Sequence, residues 1–211
     1  LECAKEEFLK NGYENASLRV IAEKAGSSKG AIYIRYPDKE SLYRALTQPV
    51  ADGFCCLLKE LLGGFESMSP ENQREQINTY GNNGFYRLID YIYDNFEEFQ
   101  ILLTSGESEI AQEFIHNIVE IDTACTMQYI EKTGNDAISS GRLTPDLAHL
   151  LSSAFYTGVF EVVIHGMAKK DEISATVIKR LPRYYRFIGE LIKQGTVRAS
   201  SAELAKEMSL T

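Results

Sequence analysis

The chain has 211 residues, 44% of them apolar and 25% charged, enough to bury a sizeable core; this excludes a disordered or low-complexity polypeptide. Its 22 basic and 30 acidic side chains leave a formal net charge of −8, which excludes a uniformly basic nucleic-acid coat. The average conceals an asymmetry: residues 16–48 carry a local +3, whereas residues 49–211 carry −9. A basic segment on an acidic body predicts that the two meet different partners.

Apolar residues recur at helical spacing almost throughout. Leu1, Ala4, Phe8 and Leu9 line one face of a first helix, which Gly12 is placed to close. Ser17 caps a second, in which Leu18, Ile21, Ala22 and Ala25 share a face until Gly26 stops it. Ser28 caps a short third helix that Tyr36-Pro37 ends, because the residue before proline avoids the helical region. Asp38 caps a fourth carrying Leu42, Leu46, Leu57, Leu58 and Leu61 as far as Gly63-Gly64, and Pro49 within it predicts a kink or a break. Amphipathic stretches follow at 71–94, 96–104, 108–132, 146–168 and 173–194. The apolar stripes of 146–168 and 173–194 are wide enough to pack inside their own subunit and against a second one, which predicts a homodimer through a four-helix bundle. No alternating strand pattern of useful length occurs. The predicted fold is all-α, with an N-terminal helix-turn-helix head at 1–48 and a larger helical body carrying the dimerisation helices at 49–211.

Residues 17–39 hold the sharpest signal: two short helices joined by a tight Ala25-Gly26-Ser27 turn, the geometry whose second helix enters a major groove. Gly30 and Ala31 keep that helix slim, Tyr33 and Arg35 carry long polar tips, and Ile32 and Tyr36 fall where a core belongs. Ser17, Ser28 and Lys39 stand at helix starts, where free N–H groups favour phosphate. Lys29, Arg35 and Lys39 are the leading contact candidates, since Arg and Lys supply most phosphate and guanine contacts. Tyr33 is read both as a phosphate contact and as packing against the fourth helix.

Phe8, Gly12-Tyr13, Ala16-Ser17-Leu18-Arg19, Ile21-Ala22, Ala25-Gly26, Ser28-Lys29-Gly30-Ala31-Ile32-Tyr33, Tyr36-Pro37-Asp38-Lys39-Glu40 and Leu42 together resemble the head of TetR-family (tetracycline repressor type) transcriptional regulators. The resemblance covers the first 48 residues; the rest matches only in being helical and of suitable length. It implies that Ser17 and Arg19 open a helix lying over the DNA backbone. It also implies that Lys29, Gly30, Ala31, Tyr33 and Arg35 belong to the recognition helix, and that Lys39 contacts phosphate. Ser27 stands where an apolar turn residue is usual, and Ile34-Arg35 replaces a common polar-aromatic pair. The implied protein is a cytoplasmic repressor that binds a palindromic operator as a homodimer.

The body is rich in tyrosine and phenylalanine. A subset with polar partners would form an apolar cavity for a small apolar or aromatic effector. The candidate lining residues are Tyr86, Phe114, His116, Tyr129, Phe155, Glu161 and His165. His116 with Glu120, and Glu161 with His165, lie one turn apart. Such pairs fit metal ligation, a hydrogen-bonded histidine or a pocket wall, and no metal or cofactor is assigned. Cys3, Cys55, Cys56 and Cys125 lack metal or redox spacing and read as small hydrophobes of a reducing compartment. No apolar run predicts a membrane span, and no signal-peptide pattern is present. The chain opens at Leu1 within a helical pattern, so native residues ahead of it are expected. No nucleophile elbow, HExxH or P-loop occurs, so an enzyme is not predicted. A helical enzyme and a regulator answering to a protein partner are the alternatives.

Overall fold

A computed structural model describes residues 1–105 and 108–166; the expected stretch at 173–194 lies outside the described residues. The described residues form eight helices: α1 (Glu2–Asn15), α2 (Leu18–Lys24), α3 (Lys29–Arg35), α4 (Lys39–Glu66), α5 (Pro70–Asp94), α6 (Phe96–Thr104), α7 (Glu109–Lys132) and α8 (Pro145–Ile164).

Caps set most of the starts. Ser17, Ser28, Ser69, Ser108 and Thr144 each accept a backbone N–H from the first turn of α2, α3, α5, α7 and α8. Asp38 does the same for α4: the Ser41 N–H and hydroxyl both donate to Oδ1 at 2.6 Å and hold the carboxyl below its ordinary range.

Two expectations about punctuation need refining. Gly12 does leave the helical region, at φ 72°, but a further turn follows it to Asn15 rather than the helix stopping there. Pro49 breaks nothing, and α4 runs as one element from Lys39 to Glu66. Proline removes one N–H and crowds the preceding turn. Here Leu46, Val50, Ala51 and Phe54 are buried on either side of it, so packing holds the helix together across the lost bond.

One core joins the two parts. In the head, Ala4 and Phe8 of α1, Leu18 and Ile21 of α2 and Leu42, Tyr43 and Leu46 of α4 close on one another. In the body, Phe54 of α4 meets Tyr91, Phe99, Phe114 and Phe160, with ring centroids 5.6–6.4 Å apart. Gly53 permits that approach, since a Cβ there would stand 1.9 Å from the Tyr91 hydroxyl. The seam between head and body is tied at Lys5, whose Nζ lies 3.0 Å from Glu97 and 3.1 Å from Glu98 at the start of α6. Those two carboxylates raise the Lys5 ammonium above its ordinary pKa.

α8 departs from the sequence reading. By length and composition it is apolar enough to cross a membrane, although no such span was expected. Its inner face (Ala148, Tyr156, Val159, Phe160, Val163) is buried against the body, which is how the core helix of a globular domain also reads. Its outer face leaves Leu150 62% exposed.

Candidate nucleic-acid interface and body cavity

The α2–α3 turn is held from beneath. Glu7 of α1 is buried, accepts from Asn11 Nδ2 at 2.9 Å and from the Ser17 N–H at 3.4 Å, and lies 3.6 Å from Lys24 Nζ. This carboxylate anchors the start of α2 to α1, and sequence reasoning passed over it because a glutamate at helical spacing looks like a surface residue. Gly26 turns the chain at φ 61°. Gly is suited there because L side chains rarely adopt that conformation.

α3 stands proud of this platform with none of its residues buried. Gly30, Ala31, Tyr33 and Arg35 are exposed together, and the Lys29 ammonium sits 5.4 Å from the centre of the Tyr33 ring. Arg35 lies over Tyr36 at 5.7 Å. Ile32 and Tyr36 are half-buried against the core, the side on which the sequence pattern put them. Arg19 faces solvent and pairs with Glu23 at 2.8 Å. Ser17 and Ser28 spend their hydroxyls on capping. Lys39 is more occupied than a free phosphate contact would be: its Nζ donates to the Glu14 carbonyl at 2.8 Å and lies 4.8 Å from the Tyr13 ring centre. Ile34 was not among the expected contacts, yet it is 88% exposed on the same helix. A large apolar side chain bared there suits contact with a thymine methyl.

The body contains a cavity of about 260 Å³ between α4, α5, α7 and α8. Leu58, Leu61 and Phe65 of α4 form one wall; Ile77, Tyr80 and Phe85 of α5 face Asp122, Cys125 and Tyr129 of α7, with Phe155 and Tyr156 of α8 closing it. The Tyr80 hydroxyl donates to the Leu61 carbonyl at 2.9 Å and lies across Gly64, where a Cβ would stand 2.4 Å from it. Burial, aided by Glu66, pushes the Cys125 thiol up to about 12, so it is a neutral wall rather than a nucleophile.

Of the seven expected lining residues, the cavity brings together Tyr129 and Phe155. Tyr86 is 37% exposed, and Phe114 is spent in the core beside Phe54 and Phe160. His116 faces outward, and Glu120 pairs instead with His149 of α8 at 3.0 Å. Glu161 and His165 do pair, at 3.1 Å, but on the exposed side of α8. Among the described residues no group of three metal-ligating side chains comes together.

An exposed α3 on a capped three-helix head, joined through a shared helix to an all-α body, is the architecture of helix-turn-helix DNA-binding proteins. Comparison with known proteins narrows the class. Residues 1–46 match the model of the tetR family of bacterial regulatory proteins. The fold is that of a TetR-family transcriptional regulator, PfmR, from Thermus thermophilus (TM-score 0.60, 17% identity, 86% of this chain and 96% of that one). It is also that of a TetR-family member from Streptomyces coelicolor (TM-score 0.53, 17% identity, 94% and 90%). The head thus matches the tetR-family model, and the described fold is similar to that of TetR-family transcriptional regulators.

A second match is of a different kind. Residues 172–211 fit the family described as "Putative DNA-binding protein N-terminus". A stretch of 45 residues is 49% identical to the redox-sensing transcriptional repressor Rex of Thermoanaerobacter pseudethanolicus, covering 21% of this chain and 20% of that protein. The Rex protein of Clostridium kluyveri is 47% identical over 45 residues, with 21% of each chain covered. The chain therefore spans about a fifth of the length of these curated relatives.

Proposed function

We propose that the chain is a ligand-responsive repressor that binds a palindromic operator as a homodimer, with α3 as its reading helix and the body cavity as its effector site. The observation that carries this reading is α4. The same helix builds the head core with Leu42, Tyr43 and Leu46 and walls the cavity with Leu58, Leu61 and Phe65, so occupation of one end bears on the other. Dimerisation uses the outer face of α8, where Leu150 is bare; the partner stretch expected at 173–194 lies outside the described residues. A DNA-binding regulator of this type works in the cytoplasm and performs no catalysis. The redox sensing named for the Rex proteins is not carried over, because only a fifth of their length is shared.

The match at 172–211 favours a second reading of the C-terminal part: a further DNA-binding unit rather than an extension of the body. Residues 172–211 carry seven Lys or Arg against four acids, a net +3, on a chain whose remaining residues carry −11. Such a reversal of charge is the electrostatic footprint of a phosphate-contacting segment.

Footprinting of the region upstream of the gene tests both readings together. The wild-type chain is expected to protect two half-sites separated by roughly one or more helical turns, ~34–36 Å each. Arg35→Ala relaxes base preference at a cost of about 1–3 kcal/mol, whereas Lys29→Ala weakens all sequences alike and lowers the salt slope by about 1. In the Lys29→Ala/Arg35→Ala double variant the palindromic protection disappears, and any salt-sensitive protection that persists elsewhere reports the unit at 172–211. Equal affinity of the wild type for this region and for random DNA at physiological salt would overturn the operator reading.

A further inference from the structure

The cavity walls are leucine, phenylalanine and tyrosine, and one carboxylate, Asp122 of α7, reaches its lining. No Lys, Arg or His is found among the described lining residues, so Asp122 is the one carboxyl side chain there and has no basic side chain beside it in the lining. Ser152 of α8, itself buried, donates its hydroxyl to Asp122 Oδ2 at 2.6 Å. Burial pushes the Asp122 carboxyl above its ordinary range, and the Ser152 hydrogen bond opposes that shift. A carboxylate with a single neutral partner in an apolar wall is costly to the empty protein. The same cavity gathers aromatic faces: Phe65 lies 5.5 Å from Tyr80 and 5.6 Å from Tyr129, centre to centre. Aromatic faces attract cations and are indifferent or averse to anions.

We infer that the cavity takes an organic cation, an amine or ammonium carried on an apolar or aromatic body, with Asp122 as its counter-ion and the Phe65–Tyr80–Tyr129 corner against its charged end. Ser152 fixes the orientation of the carboxylate. An entering cation supplies the opposite charge that the lining does not offer Asp122, while its apolar body displaces water from the walls. A neutral alcohol of the same shape gains an ordinary hydrogen bond, and an anion meets repulsion. This inference rests on the reading of the cavity as the effector site.

Calorimetric titration of the whole chain with decylamine, decanol and decanoate, below their aggregation limits, tests it. Decylamine is expected to bind about tenfold or more tightly than decanol, the scale of one charge-assisted contact away from water, with decanoate weakest. Asp122→Asn, a near-isosteric change, brings decylamine level with decanol and leaves decanol unchanged; Ser152→Ala keeps the charge and keeps the preference. Gly81 lines the cavity with open space where a Cβ would stand, so Gly81→Leu fills it and abolishes binding of all three. Equal affinity of amine and alcohol for the wild type, or a preference that survives Asp122→Asn, overturns the cation inference while decanol binding lost in Gly81→Leu leaves the cavity reading standing. Binding indifferent to Gly81→Leu, or no binding of any of the three, overturns the cavity reading and this inference with it.

Discussion

Tyr43→Ala removes about 3–5 kcal/mol of stability, the range for deleting a large buried aromatic side chain. Tyr43 has no exposed surface, and its ring packs edge-on against Phe8 at 5.8 Å and against Tyr13 at 4.8 Å. Its hydroxyl donates to the Leu102 carbonyl at 3.3 Å and lies 3.2 Å from Ser108 Oγ, so one side chain of α4 touches α1, the end of α6 and the cap of α7. A loss of that size is a large share of the stability of an ordinary domain. Urea unfolding is expected to show a much lower midpoint, and operator binding is lost with the fold. Tyr43→Phe separates the two contributions. It keeps the ring but withdraws the hydroxyl, costing about 1 kcal/mol. That variant is expected to stay folded, and its operator affinity then reports how far the Tyr43 hydroxyl holds the head in register with the body.

A ligand that fills the cavity is expected to lower operator affinity about 5–150-fold, a coupling of roughly 1–3 kcal/mol. The route is α4, on which Leu42 of the head core and Leu58 of the cavity wall stand about 24 Å apart at the helical rise. A ligand shifts this equilibrium only by the difference between its affinities for the DNA-bound and free geometries. Coupling is also reciprocal, so operator must weaken ligand binding by the same factor. Calorimetry of decylamine with and without operator measures this directly. Identical dissociation constants would show a compound that binds without regulating. Gly64→Ala offers an internal check: it forces the Tyr80 hydroxyl from its place across α4, so it is expected to change the coupling more than it changes operator affinity without ligand.

The head was the most legible part, because its signals are local. Ser17, Ser28 and Asp38 cap the helices that they were expected to cap, since a capping hydroxyl or carboxylate needs only its own first turn. The exposed face of α3 followed from the same local pattern, although Ile34, which stood out only as a departure from a common polar-aromatic pair, was not expected among the contacts. Periodicity also located α5, α6 and α7 to within a residue or two of their observed limits.

The cavity was much less legible. Spacing along a helix says which face is apolar, not which neighbour that face meets. Phe114 and Phe155 both sit on apolar stripes, yet one fills the core beside Phe54 while the other closes the cavity. Asp122 carried no signal at all, because an isolated aspartate within an amphipathic helix looks like a surface residue until Ser152 arrives from α8. Glu7 was hidden for the same reason, and Lys39, expected at phosphate, gave no sign of its bond to the Glu14 carbonyl; Ser17 and Glu14 lie ten and twenty-five residues from them. The sequence by itself determined the helices, their caps, the charge contrast and the helix-turn-helix head, all consequences of neighbours within a turn or two. Only the tertiary structure decided that α4 runs unbroken through Pro49, which aromatic rings pack and which enclose space, and which carboxylate faces the cavity. Those depend on how helices distant in the chain cross, where burial and packing outweigh local preference.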